Sequence, residues 1–198
     1  MPSHSAPPNR FEQRRLRNRA KLLEAAIELF QTQGLRATKL EEICERADVS
    51  PRTFFNHFET RQHLYRAITR QRAEEMAARL ASADDRTPSA VRLARMFDEA
   101  AEYLAARPAY RELVGEMISL PPGGGSEATR RGLLGRAALA FIEQGVARGE
   151  IGDRHPPEVL ADLLVGVLLV ALSQWCADPD FDLKHGLGQS ARALVDLF

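Results

Sequence analysis

Apolar residues recur at helical spacing along nearly the whole chain. Leu16, Ala20, Leu23, Ile27 and Phe30 follow one another at intervals of four and three, which predicts one buried stripe on a first helix that Gly34 ends. Thr38 and Glu41 are spaced as a capping box for a short second helix, with Leu40, Ile43, Cys44 and Ala47 on its apolar side. Asp48-Val49-Ser50 is a turn, and Ser50-Pro51 is a start signal, Ser as N-cap and Pro at the first helical position. A third helix then runs from Pro51 to about Phe58, and Thr60 can cap a fourth from Arg61 to about Ser82. A linker over Asp84–Pro88 precedes a fifth helix, Ser89–Arg107, and a sixth follows over Pro108–Leu120. Pro121–Gly125 is a loop, Glu127–Arg148 a seventh helix, Glu158–Cys176 an eighth and Asp182–Phe198 the last. No segment alternates as a strand would. The expected fold is all-α with about nine helices: an arm over 1–12, a three-helix helix-turn-helix domain over 13–60 and a helical domain over 61–198.

The second and third helices, joined by a three-residue turn, have the layout of a DNA-reading pair. At about 100° per residue, setting Arg52 at roughly 0° puts Asn56 near 40°, Thr53 near 100° and His57 near 140°. Phe54 and Phe58 fall on the other side, near roughly 200° and 240°, with Phe55 at about 300°. One side is thus aromatic and suited to docking. The other presents side chains fit for base edges: Arg for guanine, Asn for adenine, the Thr methyl for thymine. Arg52, Thr53 and Asn56 are the expected base readers. Thr38, Lys39, Ser50, His57 and Arg61 are expected at phosphate or groove, near helix starts where backbone N–H groups favour anions. Phe55 has two readings, packing or contact with a sugar or thymine methyl.

Charge changes the picture. Totals of 27 Lys+Arg and 27 Asp+Glu cancel, yet residues 1–72 hold 14 cations against 8 anions, leaving 13 and 19 beyond. A basic module followed by an acidic one fits a polyanion partner for the first alone. Arg10, Arg14, Arg15, Arg17, Arg19 and Lys21 make a basic stretch that could follow a DNA backbone, enter a minor groove, or stay a solvated arm.

The stretch Leu23–Leu64, with A-T-K-L-E-E-I-C-E-R-A-D-V-S-P-R-T-F-F-N-H-F inside it, resembles the DNA-binding domain of the tetracycline-repressor (TetR) family. Asp48 stands where that pattern usually has Gly, Phe55 where Tyr is common and Arg61 where Lys opens the fourth helix. The resemblance implies a homodimer on a near-palindromic double-stranded DNA operator, and a helical domain that binds a small-molecule effector of unknown identity, its release from DNA relieving repression. Met76, Phe97, Tyr103, Met117 and Phe141 are candidate effector linings, with core packing as the alternative for each. The apolar eighth helix and the last helix are expected to pair with their copies, with Leu164, Leu168, Leu172, Leu187 and Leu194 at the interface.

Other chemistries find little support. No G-x-S-x-G, P-loop or H-E-x-x-H occurs, and His4, His63, His155 and His185 lack ligand spacing, so no catalytic centre, cofactor or metal is expected. Cys44 and Cys176 fit reduced core thiols better than redox sensors, and no leader-like apolar stretch opens the chain, which together suggest the cytoplasm. The uncharged run Leu163–Ala177 falls short of a membrane span. Two rivals remain: an architectural DNA-binding protein without effector, and a helical enzyme or carrier with a vestigial helix-turn-helix.

Overall fold

The computed structural model describes residues 9–82, 87–107, 109–119 and 132–198, without the side chains of residues 109, 116, 117 and 119. The expected loop Pro121–Gly125, the first residues of the expected seventh helix and most of the expected linker lie outside the described residues. Among them are nine helices: α1 (Arg10–Gln33), α2 (Leu40–Arg46), α3 (Pro51–His57), α4 (Arg61–Ala81), α5 (Ser89–Ala105), α6 (Ala109–Ser119), α7 (Leu133–Ala147), α8 (Pro157–Ala177) and α9 (Leu183–Leu197). The fold is all-α. The chain divides into two compact units, one ending at Ile68 and one beginning at Thr69, so the division falls within α4.

In the first unit α1 begins at Arg10, inside the stretch expected to be an arm. Asn9 is the reason: its Oδ1 accepts from the Glu12 N–H at 2.9 Å, and the Glu12 carboxylate accepts from the Asn9 N–H at 3.0 Å. The buried set on α1 is Leu22, Leu23, Ala25, Ala26 and Phe30, whereas Leu16 is 60% exposed and Ala20 also faces solvent. The expected stripe therefore starts too early, since the core it faces covers only the later turns. That core holds Ile43, Cys44, Ala47, Phe54, Phe58, Leu64 and Ile68. Burying a side chain the size of Phe54 contributes about 1.5–3 kcal/mol, so these aromatics anchor α3.

The second unit packs α5 on α9, α7 on α8, and α6 and α9 on α8. Phe97, Phe141, Leu93, Ile142 and Leu187 are wholly buried there. Gly149, with φ of 69°, ends α7 in the left-handed region. The following residue, Glu150, accepts from the Ser89 backbone N–H at 2.7 Å and from its hydroxyl at 2.6 Å, capping α5 from a distant part of the chain. Gly145 lets Ile151 close in, because a Cβ there would sit 2.4 Å from the Ile151 Cδ1.

α8, at 21 residues and a mean hydropathy of 2.0, is long and apolar enough to cross a bilayer. It is a core helix instead, with Leu160, Leu164, Val165, Leu168, Leu172 and Trp175 buried within the unit. This corrects the expected interface. Leu164, Leu168, Leu172, Leu187 and Leu194 all face the interior of their own chain. The apolar residues left outside on α8 are Val159, Leu163 and Val170, the last 58% exposed. A helix apolar all round does not reveal in sequence which side its own chain covers.

Candidate DNA-reading face

The turn between α2 and α3 is set by backbone geometry. Asp48 adopts φ of 55°, its N–H donates to the Glu45 carbonyl at 3.1 Å, and the Val49 N–H donates to the Cys44 carbonyl at 3.0 Å. This is a Schellman ending in which Asp supplies the left-handed residue that Gly more often provides. Ser50 then caps α3: its Oγ accepts from the Thr53 N–H at 3.2 Å and lies 2.9 Å from the Thr53 Oγ1. With Pro51 at the first position, α3 starts sharply and its orientation is locked.

Seven residues long, α3 separates its two sides as phased. Phe54 is 0% exposed and meets Phe58 with ring centroids 5.6 Å apart. Arg52 and Asn56 point to solvent, and Thr53 and His57 are half-buried. Phe55 is 52% exposed, its ring edge-on to Phe54 at 5.5 Å, so it joins Arg52 and Asn56 on the outward side. A guanidinium, an amide and an aromatic edge thus stand together. His57 is held below the ordinary histidine pKa, first by burial and then by the positive charges of Arg15 and Arg19. The Arg19 guanidinium also sits 5.1 Å from the centre of the Phe58 ring, tying α1 to the end of α3.

Two expected phosphate residues are placed differently. Thr38 is 1% exposed, and its hydroxyl donates to the Gly34 carbonyl at 2.8 Å, so its side chain is not offered to a ligand. The cap of α2 lies one residue later. Lys39 is the N-cap, and Glu42, not Glu41, accepts its N–H at 2.9 Å while also accepting from Gln33 Nε2 at 2.7 Å. These two bonds hold the Glu42 carboxyl below its usual pKa. Arg61 is the second case. Its Nη2 donates to the Thr38 carbonyl at 2.6 Å and to the Leu35 carbonyl at 3.3 Å, with the guanidinium 5.9 Å from the Tyr65 ring centre. It is a brace between α4 and the α1–α2 turn. Sequence reasoning missed this brace because an Arg at a helix start reads as an anion ligand. Lys39 and Ser50 remain exposed at their helix starts, and Thr60 caps α4 through the His63 N–H at 3.2 Å.

In the second unit the candidate effector linings differ in burial. Phe97 and Phe141 are fully buried core residues, and Met76 and Tyr103 are half-buried. The Met117 side chain lies outside the described residues. Tyr103 donates its hydroxyl to that of Tyr110 at 3.1 Å, and the guanidinia of Arg107 and Arg72 lie 4.0 and 4.8 Å from its ring centre. Burial first, then the Tyr103 hydroxyl, pushes the Tyr110 pKa up to about 12.

A capped turn that aims a short polar-faced helix outward from an aromatic base defines a helix-turn-helix DNA-binding domain. Residues 22–68 match the family model of bacterial regulatory proteins of the tetR family. The chain is 29% identical over 196 residues to the HTH-type transcriptional regulator TcmR of Streptomyces glaucescens, covering 92% of this chain and 85% of that one. A TetR-family transcriptional regulator from Pectobacterium atrosepticum superposes with a TM-score of 0.71 at 21% identity, covering 96% of each chain. FadR of Bacillus subtilis, solved with stearoyl-CoA, gives 0.67 at 14% identity over 90% of this chain and 98% of its own. Residues 22–68 thus carry a tetR-family DNA-binding domain, and the chain as a whole is similar to TetR-family transcriptional regulators.

Proposed function

We propose that the chain acts as a homodimeric repressor that reads a near-palindromic operator and is released by a small-molecule effector. The outward face of α3 carries this reading: Arg52 and Asn56 are exposed side by side on a helix locked by the Ser50 cap and the Phe54–Phe58 base. Arg52 would take guanine O6 and N7, Asn56 adenine, and Phe55 a thymine methyl. Thr53, half-buried and close to Ser50, would offer its methyl, and Lys39 and Ser50 would meet phosphate.

Self-association is supported by the side of α8 that its own chain leaves open. Leu163, Gly166, Val167 and Val170 line a shallow apolar groove with Phe181 and Gly186, and among the described residues a Cβ on Gly166 would meet nothing within 4 Å beyond its own helix. A second copy related by a two-fold axis would cover this face and set two α3 helices about 34–36 Å apart. The effector domain is the second unit. Met76 and Tyr103 keep open surface, whereas Phe97 and Phe141 would be reached only by displacing core. The effector would act by binding better to a state in which the reading heads lose their groove spacing.

Footprinting on DNA flanking the gene, with and without a metabolite panel, tests the proposal. Arg52→Ala should cost about 1–3 kcal/mol on the protected site and relax selectivity at one position per half-site. Equal affinity of wild type for many unrelated sequences would favour an architectural protein. No salt-dependent DNA binding at all would leave the helix-turn-helix vestigial.

A further inference from the structure

Tyr110, in the first turn of α6, is 4% exposed, and its hydroxyl accepts from the Tyr103 hydroxyl at 3.1 Å. Among the described residues the proton of Tyr110 itself meets no acceptor. Burial keeps that proton in place near neutral pH, since it pushes the Tyr110 pKa up to about 12. The Arg72 guanidinium faces the same hydroxyl. Arg72 and Arg107 both lie against the Tyr103 ring, 4.8 and 4.0 Å from its centre. Two like charges are thus gathered at one half-buried spot, and only the first is answered. Arg72 pairs with Glu75 at 2.6 Å, whereas Arg107 donates to the Tyr103 carbonyl at 3.0 Å and meets no carboxylate among the described residues. All these residues belong to the second unit.

We propose that Arg107, Arg72 and the Tyr110 hydroxyl form an oxyanion site, the place where a carboxylate or phosphate of the effector is held. It rests on the effector reading above and deepens it by naming the chemistry recognised. A buried donor without an acceptor costs more than an ordinary bond gains, so the Tyr110 proton calls for an oxygen. A water could accept that proton but would leave the Arg107 charge unanswered. A carboxylate or phosphate answers both, with one oxygen for Tyr110 and another for the guanidinium fork. A neutral ligand gains far less from Arg107, so the site sets a charge preference. Arg72 stands on α4, which runs through the division between the units, so an anion that draws Arg72 from Glu75 acts on the element common to both.

Benzoate and inorganic phosphate serve as probes of the full chain, with neutral benzamide as the control, all at constant ionic strength. Affinity is read from the rise in unfolding temperature with probe concentration. Wild type should bind one of the two anions in preference to benzamide, and the tighter anion names the group recognised. Arg107→Gln and Tyr110→Phe should each weaken that anion about ten- to hundredfold, the loss expected for one charged hydrogen bond. Arg107→Lys should recover only part, having the charge without the fork. Arg107 lies beyond the end of α5 and is half-buried, so its variants test the site even where Tyr110→Phe unfolds. Equal anion affinity of wild type and Arg107→Gln overturns the proposal, as does equal binding of benzamide. Metabolites that release wild type from the footprinted DNA should be anions, and Arg107→Gln should need about ten- to hundredfold more of them. Release by neutral compounds, at concentrations the variant leaves unchanged, also overturns it. Should no metabolite release the chain, the effector reading fails and takes the role of this site with it, even where benzoate still binds through Arg107.

Discussion

Replacing Arg61 by Ala separates a brace from a phosphate ligand. Hydrogen bonds from charged donors are each worth about 1.5–3 kcal/mol, and Arg61 makes one short bond at 2.6 Å to the Thr38 carbonyl and a weaker one at 3.3 Å to Leu35. The stacking on Tyr65 adds about 0.5–1 kcal/mol. Against this stand a cation at the start of α4, costing about 0.3–1 kcal/mol, and a buried Nε without a partner, costing about 1–3 kcal/mol. The balance is a loss of about 1–2 kcal/mol from the first unit. Urea unfolding should show that loss, and Arg61→Lys should recover only part, since an ammonium lacks the fork that spans two carbonyls. DNA affinity should fall equally on matched and scrambled duplexes while the salt slope stays put. Unaltered stability with a slope shallower by about 0.9 would refute the brace and restore Arg61 as a phosphate contact.

In the proposed dimer, Gly166→Trp should give a monomer by light scattering without lowering protomer helicity, because among the described residues no atom outside its own stretch of helix lies within 4 Å of that Cβ; a dimer that persists would move the interface off this face. Asp48→Val should destabilise by about 1–2 kcal/mol in thermal unfolding, as a β-branched residue is forced to φ of 55°, whereas Asp48→Gly should fold as well as wild type. His57 has a lowered folded pKa, so the unfolded chain takes up the proton first; stability should be full above about pH 6.5 and fall as pH drops through the folded value. His57→Gln should flatten that part of the stability–pH curve, and an unflattened curve would place the titration elsewhere.

Much of the reading head was legible because local rules and burial agree there. Ser50-Pro51 and Thr60 cap where their residue types predict, and the spacing of Phe54 and Phe58 puts both on the docking side. Misjudged positions are those where two registers fit the same letters. Thr38 with Glu41 and Lys39 with Glu42 are both capping pairs by spacing; the second forms because the Thr38 hydroxyl is already bound to Gly34. Leu16 has the right interval for the α1 stripe but nothing packed over it. On α8 both faces are apolar, and only tertiary packing shows that Leu164 and Leu168 point inward while Leu163 and Val170 do not. The Arg61 brace and the Glu150 cap of α5 join residues far apart in the chain, which no local spacing encodes.

Recognition energy gives an independent reason for the proposed second copy. One α3 is seven residues long and presents two side chains capable of bidentate base contacts, Arg52 and Asn56. At about 1–3 kcal/mol each, they discriminate by about 2–6 kcal/mol. Specific regulators typically separate their sites from bulk DNA by about 4–10 kcal/mol. One head reaches only the lower part of that range, and two reach all of it. The second unit cannot make up the difference, because from Thr69 on the chain carries 19 acids against 15 Lys+Arg and repels a polyanion. In the proposed homodimer, doubling the reading face would supply that discrimination, with the open apolar side of α8 as the surface proposed for the doubling.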